Sequence, residues 1–222
     1  MDKIAIASQT DKSSVANDYT SVYEHYFAPL REEPLYILEL GVAEKAGSLR
    51  LWSEYFPNAQ IFGIDCDSRC LENQIERTQM FVGNLMDNSF MQRALNSIGR
   101  SLDIIIDDAG HTQPQILHSL QTLWPHLASG GIYVIEDLHT SYLSSFGMSY
   151  RQPGTAIEEL KGLVDVLHVD AYKRTPKSGI YEVLEGQALP ATELDQFERS
   201  LCSIHFYPGI CFLFKADDNE IQ

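Results

Sequence analysis

The sequence lacks a long hydrophobic run. No apolar stretch approaches the roughly 18 residues needed to cross a bilayer, so no segment reads as a membrane span. The N-terminus, MDKIAIASQTDKSS, places an acid at position 2 and has no apolar core of the kind a secretory signal carries. Cysteine is sparse. Cys66, Cys70, Cys202 and Cys211 form neither a disulfide framework nor a paired CxxC zinc set, and read as reduced thiols of a cytoplasmic protein. Basic residues are outnumbered, 16 Lys and Arg against 31 Asp and Glu, for a formal net charge of −15. Such a surface repels phosphate backbones and argues against a nucleic-acid partner. There is no internal repeat and no low-complexity tract, and the tail ADDNEIQ (216–222) reads as frayed.

What is present is enough for one sizeable core: 222 residues, 44% of them hydrophobic. Apolar runs at 35–40 (LYILEL), 60–65 (QIFGID), 78–83 (TQMFVG), 102–107 (LDIIID) and 130–137 (GGIYVIED) read as strands. Between them, 47–56, 68–78, 87–98 and 113–127 read as helices, the first with apolar residues at helical spacing. Continuous apolar strands alternating with helices predict a parallel sheet covered on both faces, that is, a doubly wound α/β fold. LCSIHFYPGICFLFK (201–215) is two runs split by Tyr-Pro-Gly and predicts an antiparallel hairpin. The region 138–200 is less regular, with one helix expected at 155–167. Its loop suits a lid or substrate segment, and Tyr142, Phe146, Tyr150 and Tyr172 suit stacking on an acceptor or packing of the lid.

Ligands of a doubly wound sheet sit beyond the carboxyl ends of its strands. Five successive strand ends deliver polar groups there: Glu39 and Gly41 with the loop to Ser48, then Asp65, then Gly83 and Asn84, then Asp107, Asp108 and His111, then Glu136 and Asp137. The first loop, LELGVAEKAGS, has only two glycines and carries Glu39 and Glu44. A pyrophosphate needs closer backbone approach and would be repelled. A cofactor without phosphates that carries an ammonium and a sulfonium, S-adenosylmethionine, fits better, with Asp65 placed for its ribose hydroxyls.

Asp108, Glu136 and Asp137 gather carboxylates whose repulsion a cation or a proton must offset. All-oxygen ligands point to a hard ion, Mg2+ or Ca2+, and the open positions of Mg2+ leave room for substrate oxygens. A metal lowers the pKa of a bound hydroxyl, and His111, three residues past Asp108, can take the proton. His139 reads as a substrate or packing residue. Asp107 points away from Asp108 because adjacent strand residues face opposite sides, and is assigned to the turn or the cofactor side.

These residues carry a resemblance. TDK (10–12), Tyr19, FAPLR (27–31), LELGV (38–42), GSLRLWSEYFP (47–57), IFGID (61–65), IIIDDAGH (104–111), GGIYVIEDLHTSY (130–142) and SIHFYPGICFLFK (203–215) are similar to the metal-dependent sugar O-methyltransferases of macrolide tailoring. The resemblance implies a class I methyltransferase fold: a Rossmann-like, seven-stranded, mostly parallel sheet with an antiparallel C-terminal hairpin. It implies Mg2+ at Asp108, Glu136 and Asp137 and His111 as base, with Asp108 also orienting it. S-adenosylmethionine would lie among Thr10, Glu39, Gly41, Ser48, Asp65, Gly83, Asn84 and Asp107. The family usually reads DDGSH where this chain has DDAGH, and Gly-Asp where it has Gly83-Asn84; Asn84 can still accept through its carbonyl oxygen. The larger members carry an additional N-terminal domain, and this sequence, beginning near TDK, is expected to be the methyltransferase domain alone.

The expectation is therefore a single domain over 1–222, with 1–33 as an N-terminal helical or lid segment and 138–200 as an acceptor-pocket or lid insertion. It would be a cytoplasmic homo-oligomer that methylates a small-molecule glycoside with vicinal oxygens. A catechol or phenol O-methyltransferase and a non-catalytic binding protein on the same fold are the alternatives.

Overall fold

Alternating apolar strands and amphipathic helices wind twice around one sheet, as the pattern predicts. A computed structural model describes residues 1–174, 197 and 200–217, and the side chains among them apart from those of 169–174. Two helices, α1 (Asp2–Ala7) and α2 (Thr20–Phe27), precede β1 (Tyr36–Leu40). Then follow α3 (Gly47–Tyr55), β2 (Gln60–Asp65), β3 (Thr78–Val82), α4 (Asn88–Ile98), β4 (Leu102–Asp107), α5 (Gln113–Leu123), β5 (Leu127–Ile135), α6 (Ala156–Arg174), β6 (Leu201–Tyr207) and β7 (Ile210–Lys215). The sheet order is β3-β2-β1-β4-β5-β7-β6. The first five strands pair in parallel, and β7 pairs antiparallel with both β5 and β6. The direction of winding reverses between β1 and β4, which is where a doubly wound sheet opens a crevice.

The pleat divides the core. Ile37, Ile61, Ile104 and Ile106 face α1–α3 and meet Tyr23, Phe27 and Trp52. Leu38, Leu40, Phe62 and Ile105 face α4–α6. Burial on both faces explains why the strands read as continuous apolar runs. The same alternation sends neighbouring acids in opposite directions. Glu39 shares the face of Ile37, and Asp107 shares the face of Ile105.

Some expectations change. The helix expected at 68–78 is only a 3-10 turn, Ser68–Glu72. Asn73 ends it by donating to the carbonyls of Cys70 and Glu44. The helix expected to reach 127 stops at Leu123 and tightens into a 3-10 turn at Trp124–His126, because Pro125 cannot supply the next helical N–H. Strand β5 ends at Ile135, which leaves Glu136 and Asp137 beyond it. The helix expected at 155–167 runs to Arg174. Tyr172's side chain and the tail from 218 lie outside the described residues. No helix among the described residues is long and apolar enough to cross a membrane.

Trp52 is fully buried, with Tyr23, Phe27 and Phe56 around it. Trp52→Ala should cost about 3–5 kcal/mol in urea unfolding. A loss below about 1 kcal/mol would show that the ring is not part of the central packing.

Candidate active site

The crevice is built by a close approach of two strand ends. Gly41 follows β1 with φ +80°, and a Cβ there would lie 2.1 Å from the carbonyl oxygen of Asp108, just past β4. Only glycine fits both the conformation and the space. Asp65, at the end of β2, holds the loop that follows. One oxygen accepts from the backbone N–H groups of Val42 and Ala43, at 2.8 Å each, and the other from Asp67 N–H at 2.8 Å. Ala43 and Ala46 take positive φ within this pinned loop.

A cleft of about 490 Å³ lies over the loop. Thr10, Gly41, Ser48, Asp65, Asp108 and His111 all border it. A smaller cavity of about 150 Å³ adjoins it through Gly41 and Asp65 and is bordered by Gly83, Asn84 and Gln115. Six of the eight residues expected to contact the cofactor therefore line one continuous depression. Glu39 and Asp107 do not. Glu39 is buried behind Ser48, whose hydroxyl donates to it at 2.7 Å. Burial raises its pKa to about 7 against the lowering pull of Lys12. Asp107 lies under the α5 face, accepting from Ala109 N–H at 3.4 Å and Tyr133 Oη–H at 3.3 Å. Burial pushes it up to about 7 as well. It supports the turn and does not reach the cleft. Asn84 spends its side-chain oxygen locally, accepting from Met86 N–H at 3.0 Å.

Asp108, His111 and Asp137 converge, each offering one ligand atom, all within 4.8 Å of one another. His111 Nε2 lies 3.9 Å from Asp108 Oδ1 and 3.6 Å from Asp137 Oδ2. Both His111 (φ +47°) and Asp137 (φ +54°) sit in the left-handed region. That conformation costs on the order of 1–3 kcal/mol for a non-glycine residue and is held only where surrounding contacts impose it. For Asp137 one such contact is Tyr19, whose hydroxyl donates to Oδ1 at 2.9 Å.

Glu136 departs from the expected arrangement. It is buried, and its Oε1 faces Lys12 Nζ at 2.8 Å and accepts from the hydroxyl of Tyr23. Its other oxygen, Oε2, is buried with no hydrogen-bond partner among the described residues. Lys12 is the residue that sequence reasoning missed. It is completely buried, 2.6 Å from Asp108 Oδ2, 2.8 Å from Glu136 Oε1 and 3.4 Å from Glu39 Oε1. Burial works against its charge, yet the three carboxylates outweigh burial and raise its pKa. A lysine is almost never fully buried unless paired. Its partners lie 27 to 124 residues away in the sequence, so spacing gave no signal beyond its place in the TDK motif.

One ammonium faces Asp108, Glu136 and Glu39, and Asp137 adds a fourth acid beside them. The deficit of positive charge, the orphaned Glu136 Oε2 and the oxygen-rich donor set all fit a hard divalent cation. The cleft, bordered by Asp11, Glu44, Asp65 and Asp108 against Lys45, fits a cationic cofactor.

Residues 38–138 match the family model described as "Methyltransferase domain". This stretch of the chain is similar to methyltransferase domains. Over 96% of its length the chain is 32% identical to a rhamnosyl tetracenomycin-C 2'-O-methyltransferase of Streptomyces olivaceus, covering 53% of that protein. Over 95% of its length it is 28% identical to mycinamicin VI 2''-O-methyltransferase of Micromonospora griseorubida, covering 51% of it. Among solved structures it is similar to the MycE methyltransferase of the mycinamycin pathway, in complex with Mg and SAH. That match has a TM-score of 0.81 and 27% identity, covering 97% of this chain and 53% of the other. Both named relatives are O-methyltransferases, and the chain spans about half the length of the curated relatives it matches.

Lys12→Met would leave the buried Glu39 and Glu136 and the partly buried Asp108 without their cation. It should destabilise the fold by about 3–5 kcal/mol, read by urea unfolding, with part of the loss recovered in millimolar Mg2+. Wild-type stability in the variant would mean that Lys12 does not balance these charges.

Proposed function

We propose that the chain is an Mg2+-dependent O-methyltransferase that transfers the methyl group of S-adenosylmethionine to a sugar hydroxyl on a glycosylated natural product. The observation that carries this reading is the convergence of Asp108, His111 and Asp137 at the border of the cleft. Its relatives support the choice of acceptor, since the two described above are named for methylation of a sugar hydroxyl.

S-adenosylmethionine would lie in the cleft over the loop from Gly41 to Ser48, with Asp65 at the ribose and Gly83 and Asn84 at the adenine. Asp65 already accepts three backbone N–H groups, and a carboxylate has about four lone-pair sites, so one remains for a ribose hydroxyl. Asp108 and Asp137 would hold Mg2+, and Glu136, the third acid the sequence proposed, would have only its unpaired Oε2 to offer. When bound, S-adenosylmethionine supplies the methyl group and Mg2+ supplies the positive charge that lowers a hydroxyl's pKa and steadies the alkoxide.

His111 then accepts the hydroxyl proton at Nε2, the ring nitrogen that faces Asp108 and Asp137 at 3.9 and 3.6 Å. Lys12 holds Asp108 and Glu136 in place, so the oxygens need not rearrange. Because the displacement needs no covalent enzyme intermediate, alignment is the main contribution of the protein, on the order of 7–11 kcal/mol. An acceptor with vicinal oxygens suits this site, because two of its oxygens can approach the same ion. We assign the segment from 138 to 200 to the acceptor side, and read the protein as cytoplasmic and homo-oligomeric.

His111→Ala should lower turnover of a rhamnoside acceptor by about 10²–10⁴-fold, and EDTA should abolish methyl transfer until Mg2+ is returned. Near-normal turnover in the variant would remove His111 as the base. A wild-type protein that gives no heat with S-adenosylmethionine, with or without Mg2+, would instead be a non-catalytic member of the fold.

A further inference from the structure

Two segments far apart in the sequence meet beside Asp137. Leu138–Tyr142 follows the acidic pair directly, and Phe206–Gly209 spans the end of β6 and the turn into β7. Leu138 N–H donates to Gly209 C=O at 2.9 Å. Tyr19 joins both segments to the candidate metal residues, with its hydroxyl 2.9 Å from Asp137 Oδ1 and 3.4 Å from Gly209 O. Gly209 is required there, since it holds φ +78° and a Cβ would lie 2.5 Å from the Tyr19 hydroxyl.

Between these segments and the start of α6 lies a pocket of about 370 Å³. Leu138 and Ile157 are buried in its floor, while Tyr142, Phe206 and Tyr207 remain partly exposed in its walls. Its polar groups are few, chiefly His139 and Lys161. The volume falls in the range of small-molecule sites, and apolar walls with few polar groups are their usual lining.

Position gives the pocket a meaning. The cofactor cleft borders Asp108 and His111. The apolar pocket begins at Leu138 and His139, directly after Asp137, whose Oδ2 lies 3.6 Å from His111 Nε2 and whose Oδ1 lies 4.0 Å from His139 Nδ1. A hydroxyl held at Asp108, His111 and Asp137 therefore adjoins both the methyl donor's cleft and this pocket. An in-line displacement requires donor and acceptor on opposite sides of the transferred carbon.

Resting on the function proposed above, we infer that this pocket binds the apolar aglycone that carries the acceptor sugar, with Phe206, Tyr207 and Tyr142 as its walls. Tyr150, to which the sequence also gave a possible stacking role, is mostly exposed and does not line it. The hairpin turn, which the sequence treated only as sheet structure, becomes part of the acceptor site.

The probes are methyl α-L-rhamnoside and 2-naphthyl α-L-rhamnoside, which share a sugar and differ in the apolar group. Their dissociation constants are measured by saturation-transfer NMR on the full chain with SAH and Mg2+, which requires no turnover. The naphthyl glycoside should bind at least about tenfold more tightly, and Phe206→Asp should bring the ratio close to one. Tyr142→Asp, on the opposite wall, is the second variant, and each is scored once its melting temperature matches the parent's. Equal binding of the two glycosides by the parent, including no binding of either, overturns the inference. So does a preference that survives either folded variant. A naphthyl preference without any methyl transfer would overturn the proposed function and leave the apolar site standing.

Discussion

A single buried ammonium holds the carboxyl ends of the central strands together. Lys12 reaches Asp108, Glu136 and Glu39 from a segment before the first strand. The carboxylates come from the ends of β4, β5 and β1, so the contact ties three neighbouring strands at one point. Removing a charge from water is expensive, and only close, opposite charges offset that cost. The same contact still leaves acid in excess, because Asp137 has no ammonium and Glu136 keeps an unpaired oxygen. The site is thus held together by one cation and remains receptive to a second.

Around that point the chain has little freedom. Gly41 lies against the Asp108 carbonyl so closely that no larger residue fits. Asp65 ties down the loop that follows through three backbone N–H groups. Two of the converging residues, His111 and Asp137, are held in left-handed backbone geometry. Strain of this kind persists only where the surroundings over-determine it, and the paired strand ends and the Tyr19 hydroxyl provide that constraint. A rigid constellation suits a reaction in which alignment contributes most of the rate.

Much of the fold was legible. The strands that read as continuous apolar runs are strands, and the doubly wound order with a terminal antiparallel pair follows from them. The misplaced boundaries have local causes: Asn73 capping carbonyls after Glu72, and Pro125 interrupting α5. The site was legible in part. His111, Asp108 and Asp137 converge as their positions after β4 and β5 implied. Glu39 reads as a cofactor residue, but strand alternation turns it toward Lys12; Asp107, which reads as belonging to the turn or the cofactor side, supports the turn under α5. Lys12 was not legible as a partner, because its contacts are long-range and a lysine in a polar N-terminal segment ordinarily reads as a solvated charge.

The sequence by itself determined the alternation of strand and helix, the crevice beyond the strand ends, and the acids and histidine delivered there. These follow from periodicity and from the direction in which parallel strands run, both local properties of the chain. Tertiary structure alone decided which acid faces which neighbour. It turned Glu136 toward Lys12 and Tyr23, placed Asp137 between two histidines, and brought the Phe206–Gly209 segment beside Leu138. Those choices depend on the register of strands and on contacts across as many as 190 residues, as between Tyr19 and Gly209. No repeat of spacing along the chain encodes a distance of that kind.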